Sequence, residues 1–204
     1  MRKQMEQIIL SGTVDPDSIA RSADGPAGSL SFQLNFEEGK VDVNNAPAEL
    51  IKLALQAART DAGTVETVMA AIAELRRRRM AVADPSQLFP IESRTTGRSA
   101  NEQSRFLTTF SGSRGINPSL SERELLDQLV PENAAGIAQR GTGAGNVVPG
   151  SWQGLFTSSR ATIALTGTYR HKDGWALRRK VVFRIDRGRH SVQILAWRTF
   201  EGAG

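Results

Sequence analysis

Apolar and polar residues alternate strictly in the segment from Ser29 to Phe36. The apolar residues of this segment share one side, and serine, glutamine and asparagine residues share the other. A period of two residues is typical of a β-strand that has one face buried. The pattern therefore predicts an N-terminal strand that ends at the turn EEGK. Its apolar residues are Leu30, Phe32, Leu34 and Phe36.

The spacing of apolar residues then becomes helical. After a brief alternating stretch, residues 44–47 supply two asparagines that can cap free backbone amides and a proline suited to a first helical turn. Apolar residues recur at three and four positions up to about Arg59, and again from about Val65 to Arg79. We therefore predict two successive helices.

Signals for short elements follow. Asp84 and Gln87 have the spacing of a capping box, which predicts a short helical turn, and the polar run over residues 92–104 predicts a loop. The segment FLTTF predicts a short strand, and Ser121 with Glu124 is a second capping-box pair at the start of a leucine-rich helix.

Parts of the first helical segment recur in the second. Val43-Asn44 is echoed by Ile116-Asn117, each ahead of a proline and paired leucines, and AAIAELR at residues 70–76 is echoed by AAGIAQR at residues 134–140. Repeated patterns of this kind indicate related structural units that bury their apolar faces together. We therefore predict two related helical units.

The last fifty residues return to alternation. Three apolar-alternating segments are separated by the turns HKDG and DRGRH, which predicts an antiparallel meander. A glycine-rich linker over residues 141–154 precedes them. The predicted fold class is α+β: an antiparallel sheet, built from the N-terminal strand and the C-terminal three-strand meander, is interrupted by an all-helical insertion. The predicted division is 1–40, 41–150 and 151–204.

The amino-acid composition limits the kinds of site and partner that the protein can have. The 204 residues include no cysteine, which excludes disulfides, thiolate metal sites and cysteine nucleophiles. The formal net charge of +5 permits an acidic partner. No apolar stretch reaches the length of about 18 residues that a membrane helix needs, and the apolar centre of MRKQMEQIILSG is too short for a signal peptide. As printed, the chain is expected to be soluble.

Candidate catalytic and metal-binding residues are few. His171 and His190 fall in predicted turns and are expected to be exposed, and no HExxH or GxSxG motif is present. Two acidic groups could offer oxygen ligands to calcium, but neither follows the EF-hand pattern, so solvated turns are expected. These groups are Asp15, Asp17 and Asp24, and Glu37, Glu38 and Asp42. We predict no catalytic, cofactor-binding or metal-binding residue.

The basic run Arg76 to Arg79 and the helical pairs raise a DNA-binding alternative. Four consecutive arginines cannot share one helix face, and cations at a helix end stabilise its dipole. The opening segment resembles helix-hairpin-helix modules, whose Gly-x-Gly turn presents backbone amides to phosphates. The segment ARTDAGTVE has the single Gly63, and VPENAAG also lacks that turn. An architectural role is favoured, and basic DNA binding stays the alternative.

Several segments in order resemble the K-type minor pseudopilins of bacterial type II secretion systems, the general secretion pathway protein K family. EEGKVDVNNAP is similar to that family's acidic-Gly-Lys-Ile-Asp-Leu-Asn-x-Ala stretch, and DPSQL to its short helical segment. FLTTFSGSRGINPSLSERELLDQL is similar to its Ile-Asn-Pro and leucine-pair region. FTSSRATIALTGTYR, WALRRKVVFRI and SVQILAWR resemble its closing sheet.

The resemblance implies a non-enzymatic, pilin-like α/β protein with an inserted helical domain. It would cap the pseudopilus tip with minor pseudopilins of the I and J types and support protein export, without binding nucleic acid. Family members are anchored in the inner membrane, with a periplasmic globular domain, by an N-terminal helix that this chain lacks as printed. Without that helix, Leu30, Phe32, Phe183 and Ile185 are expected to be poorly covered. Some members bind calcium, but the ligands are not located here.

Overall fold

The computed structural model describes residues 21–90, 99–129, 156–157, 161–186, 188–189 and 191–202. Two compact units can be distinguished. The first contains the residues up to Phe36 together with those from Ala161 onward, and the second is Glu37–Arg160. The division at residues 40 and 150 that the sequence suggested stays a prediction about domains.

The first unit is a five-stranded antiparallel sheet with the order β1-β2-β5-β6-β7. This arrangement confirms the predicted α+β class, with an N-terminal strand beside a C-terminal meander. Strand β1 was not predicted, because its residues RSADG show no alternation of apolar side chains. The strands are β1 (Arg21–Gly25), β2 (Gly28–Phe36), β5 (Thr162–His171), β6 (Ala176–Asp186) and β7 (Ser191–Gly202).

Strand register places apolar residues of neighbouring strands on one face of the sheet. Leu34 lies opposite Leu165, which in turn lies opposite Val181. The buried residues of this face form a cluster, and Phe183 and Ile185 belong to it, so the expectation that they are poorly covered is wrong. The cluster consists of Leu34, Ile163, Phe183 and Ile185.

The second unit is helical apart from one short pair of parallel strands. Its helices are α1 (Ala48–Ala57), α2 (Ala62–Arg77), α3 (Ala100–Gln103) and α4 (Arg123–Leu129). Its strands are β3 (Val41–Asp42) and β4 (Leu107–Thr108), and 3-10 turns cover Glu37–Gly39, Pro85–Leu88 and Pro118–Leu120. Among the residues described, no helix combines the length and the apolar character needed to cross a membrane.

One hydrophobic core joins the two helical segments of this unit. Helix α1 packs against both α2 and α4, and the same core continues through Phe106 and Ile116. This shared core agrees with the expectation that the helical segments bury their apolar faces together. The echo AAGIAQR lies outside the described residues. The helical core residues are Leu50, Ile51, Ala54 and Leu55 of α1, Val65, Val68 and Ile72 of α2, and Leu125, Leu126 and Leu129 of α4.

The structure adds detail to the start of three helices. Helix α2 begins at Ala62 because the Asp61 side chain caps the Thr64 amide. Helix α3 lies in the predicted loop, because Ser99 and Glu102 form a capping box that the sequence analysis missed. Helix α4 begins at Arg123, two residues after Ser121, whose hydroxyl donates to the Asn117 carbonyl oxygen.

Candidate functional site

Asn44, in the segment that leads into α1, joins distant parts of the second unit. Its side-chain amide donates to the Val82 carbonyl oxygen at 3.1 Å and its oxygen accepts from the Val82 amide at 2.8 Å. The predicted capping role for this asparagine is therefore wrong. The N-cap of α1 is Pro47, which makes no side-chain hydrogen bond. The paired asparagine segment fixes the chain that leaves α2.

The basic run at the end of α2 is divided among different partners. Nη2 of Arg76 donates to the carbonyl oxygens of Val43 at 2.9 Å and Ala46 at 2.6 Å. Arg77 and Arg78 both pair with Glu74, and the hydrogen bonds from Arg77 and then Arg78 lower the pKa of that carboxyl. The same pairing raises the pKa of Arg77. Arg76 thus has the structural role that was predicted for the run, whereas Arg77 and Arg78 make exposed ion pairs on their own helix.

The turn between α1 and α2 is the place where a helix-hairpin-helix module would bind phosphate. Arg59 has a left-handed backbone with φ of 54°, and the Thr60 amide donates to the Leu55 carbonyl oxygen at 3.0 Å. The Thr64 amide, at the start of α2, is already bound by the Asp61 carboxylate at 2.8 Å. A carboxylate in that position repels a phosphate, so this turn does not support DNA binding.

The second acidic group is buried, and the expectation that it lies in solvated turns is wrong. Asp42 Oδ1 accepts from the Asn44 amide at 2.9 Å, and its Oδ2 accepts from the Gly112 amide at 2.8 Å and the Ser111 hydroxyl at 3.2 Å. Glu37 accepts from the Thr108 hydroxyl, and its Oε1 lies 3.7 Å from Lys40 Nζ. Glu38 is also buried. Asp42 and Glu37 thus join separate segments of the second unit.

The hydrogen bonds of these carboxylates affect whether they could bind calcium. Both oxygens of Asp42 already have protein donors, so this residue does not offer a free oxygen pair to a cation. Asp24 is exposed on β1, and Asp15 and Asp17 lie outside the described residues. Over the part of the chain that the structure describes, no three acidic or histidine side chains gather in a metal-binding group. Calcium binding stays a prediction without located ligands.

His171 ends β5 and is half-buried, which corrects the expectation of an exposed histidine. Its ring stacks on Trp175 with 4.8 Å between ring centroids and 9° between planes, and its Nδ1 lies 3.1 Å from Asp173 Oδ2. Tyr169 completes the cluster at 5.4 Å from Trp175. These contacts stabilise the turn between β5 and β6. His190 lies outside the described residues.

Exposed apolar side chains concentrate on one strand. Of the five large hydrophobic residues that the described surface exposes, three belong to β7, while Met80 and Trp175 lie elsewhere. The strand itself was predicted from its apolar residues, but their exposure to solvent was not. Val192 and Ile194 alternate as the residues of a buried strand face do, so the sequence could not distinguish the two cases, and a bulge at Leu195 places Trp197 on their face. The three residues are Val192, Ile194 and Trp197.

Comparison with known proteins identifies a fold. No protein-family model matches the chain, and no curated protein matches it in sequence. Among solved structures, a chain of the GspK-GspI-GspJ complex from the type 2 secretion system of enterotoxigenic Escherichia coli is similar. The likeness has a TM-score of 0.66 and a sequence identity of 13%, and covers 98% of this chain and 91% of that chain. The chain therefore has a pseudopilin-like fold.

Proposed function

We propose that this protein is a non-enzymatic minor pseudopilin of a type II secretion system. In this role it caps the tip of the pseudopilus with minor pseudopilins of the I and J types and supports protein export. The observation that carries the proposal is the fold likeness, over 98% of the chain, to a chain of the GspK-GspI-GspJ complex. The order of sequence segments that resemble K-type pseudopilins supports the same assignment.

The geometry of the second unit supports an architectural role. Strands β2 and β5 are hydrogen-bonded neighbours in the sheet, yet the whole of Glu37–Arg160 lies between them in the chain. The polar side chains that the sequence offered for chemistry, Asp42 and Arg76 among them, bind backbone groups. We propose that this inserted unit supplies bulk that stops further subunits from adding at the tip.

The proposed location follows from the proposed role. The described units would lie in the periplasm, and an N-terminal helix preceding them would anchor the protein in the inner membrane. Fractionation of cells that produce the native gene product tests this placement. We expect the protein in the inner-membrane fraction, with its globular part accessible to protease from the periplasmic side.

Reconstitution tests the proposed partners. The chain is mixed with the soluble domains of the I- and J-type minor pseudopilins of the same secretion system, in buffer with and without calcium, and analysed by size-exclusion chromatography with light scattering. We expect a ternary complex containing one copy of each protein. The absence of any complex in both buffers would contradict the proposal.

A titration with duplex DNA distinguishes the proposed pseudopilin role from the DNA-binding alternative. Charge attraction alone gives weak binding to duplex DNA that disappears as salt rises. We expect no binding of duplex DNA at physiological salt, because the turn between α1 and α2 carries the Asp61 carboxylate where a phosphate would sit. Sequence-independent binding that persists at physiological salt would favour the DNA-binding alternative.

A further inference from the structure

The two edges of the five-stranded sheet differ in length. Strand β1 forms one edge and has five residues, whereas β7 forms the other and has twelve. Within the described residues, β7 pairs with β6 on one side and with no strand on its other side. The outer side of β7 therefore presents a long row of backbone amides and carbonyls.

The two edges also differ in protection against pairing. Natural sheets guard a free edge with a short strand, with charges or with proline. Strand β1 is short and has two charged residues among five. Strand β7, SVQILAWRTFEG, has no proline and no charge before Arg198. The β1 edge is thus protected against pairing, whereas the β7 edge is open to the addition of a strand.

Side chains on β7 extend the apolar face of the sheet to this open edge. Val192 lies opposite Ile185, Ile194 opposite Phe183, and Trp197 opposite Val181, so all three continue the apolar face described above. Their exposed fractions are 40%, 60% and 60%. Apolar side chains of this size in a row mark an interaction surface, and tryptophan is a frequent anchor of such surfaces.

A positively charged residue next to this apolar row indicates which side chains a partner strand would have. Arg179 is exposed, lies opposite Thr199 and shares the face of Trp197. A strand laid along β7 would place its alternate residues on this face, with apolar ones beside Ile194 and Trp197 and an acidic one beside Thr199. Arg179, one strand further in, supplies positive charge to that part of the face. The chain's net charge of +5 favours such an acidic residue.

We propose that β7 is a docking edge to which an extended segment of another minor pseudopilin adds as a sixth strand. The segment has apolar residues at alternate positions and a carboxylate near one end. This inference rests on the proposed function. Main-chain hydrogen bonds along the edge hold the segment, and the apolar row selects its side chains.

Matched lysine variants test the proposal. The variants Ile194→Lys and Trp197→Lys introduce a positive charge at the β7 edge. The control variant Met80→Lys introduces the same charge at an apolar position of the second unit that is 55% exposed. We expect the two edge variants to weaken binding to the I- and J-type soluble domains by about tenfold or more, while Met80→Lys binds like the unchanged chain. Melting temperatures and circular dichroism establish that each variant folds.

Hydrogen exchange in the complex tests the mode of docking. An added strand bonds to alternate residues of an edge, so protection should rise at alternate amides between Val192 and Thr199, with the alternation interrupted once at the bulge around Leu195. Edge variants that bind like the unchanged chain would overturn the inference while leaving the proposed function standing. Lost binding without alternate protection, or self-association through β7, would also overturn it. An unchanged chain that binds neither partner would overturn both proposals.

Discussion

Arg76 joins the end of α2 to the backbone that leads into α1. Its guanidinium is half-buried and donates to two carbonyl oxygens, those of Val43 and Ala46. Arg78, two residues later, is exposed and pairs with Glu74 on its own helix. A charged hydrogen bond to partly buried backbone stabilises the fold more than an exposed ion pair does.

Replacement of Arg76 by methionine should therefore destabilise the protein. We expect the free energy of unfolding to fall by about 1–3 kcal/mol, because two partly buried carbonyl oxygens lose their charged donor. The matched control Arg78→Met should change it by less than about 0.5 kcal/mol. Urea denaturation followed by circular dichroism measures both. Equal losses in the two variants would contradict the structural role of Arg76.

Asp61 controls the start of α2 through its charge. Its carboxylate accepts from the Thr64 amide at 2.8 Å, and the backbone and side-chain hydrogen bonds of Thr64 lower its pKa below the ordinary value of 3.8. Because the pKa is lower in the folded state than in the unfolded state, the stabilising effect is fully present above that ordinary value. It is lost as pH falls through the lowered pKa.

A variant comparison across pH tests this effect. Asp61→Ala should be less stable than the unchanged chain at neutral pH, and the difference should shrink as the pH falls below about 4. Melting temperatures measured at several pH values show it. The control Gln56→Ala, at an exposed position of α1 without a titrating group, should give a difference that does not depend on pH. A difference for Asp61→Ala that persists at low pH would count against a role for its charge.

At the scale of elements, two 3-10 turns meet at Gly39. The Asn117 amide donates to the Glu38 carbonyl oxygen at 2.6 Å, which draws Glu37–Gly39 against Pro118–Leu120. A Cβ atom built on Gly39 would lie 2.1 Å from the Leu120 carbonyl oxygen. Only glycine allows this approach, because the obstacle is backbone and cannot rotate away.

Gly39→Ala should therefore separate the two turns. We expect a loss of about 1–3 kcal/mol in the free energy of unfolding, the usual cost of overpacking. The control Gly63→Ala lies in α2, where the added Cβ meets Asp61 Oδ1 at an ordinary 3.5 Å. It should be neutral or stabilise by up to about 1 kcal/mol. If the two alanine variants were equally stable, the close approach at Gly39 would not matter.

Elements with long periodic patterns were predictable from the sequence, and short ones were not. Strand β2, helices α1 and α2 and the meander β5–β7 follow their apolar periods. Strand β1 lacks alternation and α3 is four residues long, so neither gives a periodic signal. The role of Asn44 depends on Val82, which is 38 positions away in the chain, and local patterns do not contain such partners.

The candidate site was less predictable than the fold. The acidic pair of EEGK has the local signature of a solvated turn, yet Glu37 is buried beside β4, where the Thr108 hydroxyl donates to it. Conversely, Val192 and Ile194 have the spacing of a buried strand face and are exposed. In both cases burial is decided by which segments lie alongside, and the residue type alone does not determine it.

At the scale of the whole molecule, each unit has its own hydrophobic cluster. The larger cluster, which includes Leu55 and Leu125, lies entirely within Glu37–Arg160, and the smaller one belongs to the sheet. The parallel pair β3–β4 and the contact between Gly39 and Leu120 also close within the second unit. This self-sufficiency suits an insertion that folds without disturbing the register of the strands on either side of it.

The isolated fragment Glu37–Arg160 should therefore fold by itself. We expect a helical circular dichroism spectrum and a single cooperative melting transition, because the core that α1, α2 and α4 share is complete within it. In this fragment Leu125→Ala should lower the free energy of unfolding by about 2–5 kcal/mol, since the residue is fully buried. The exposed control Met80→Ala should change it by less than about 0.5 kcal/mol. A fragment with the spectrum of an unfolded chain would show that the insertion depends on the sheet for its stability.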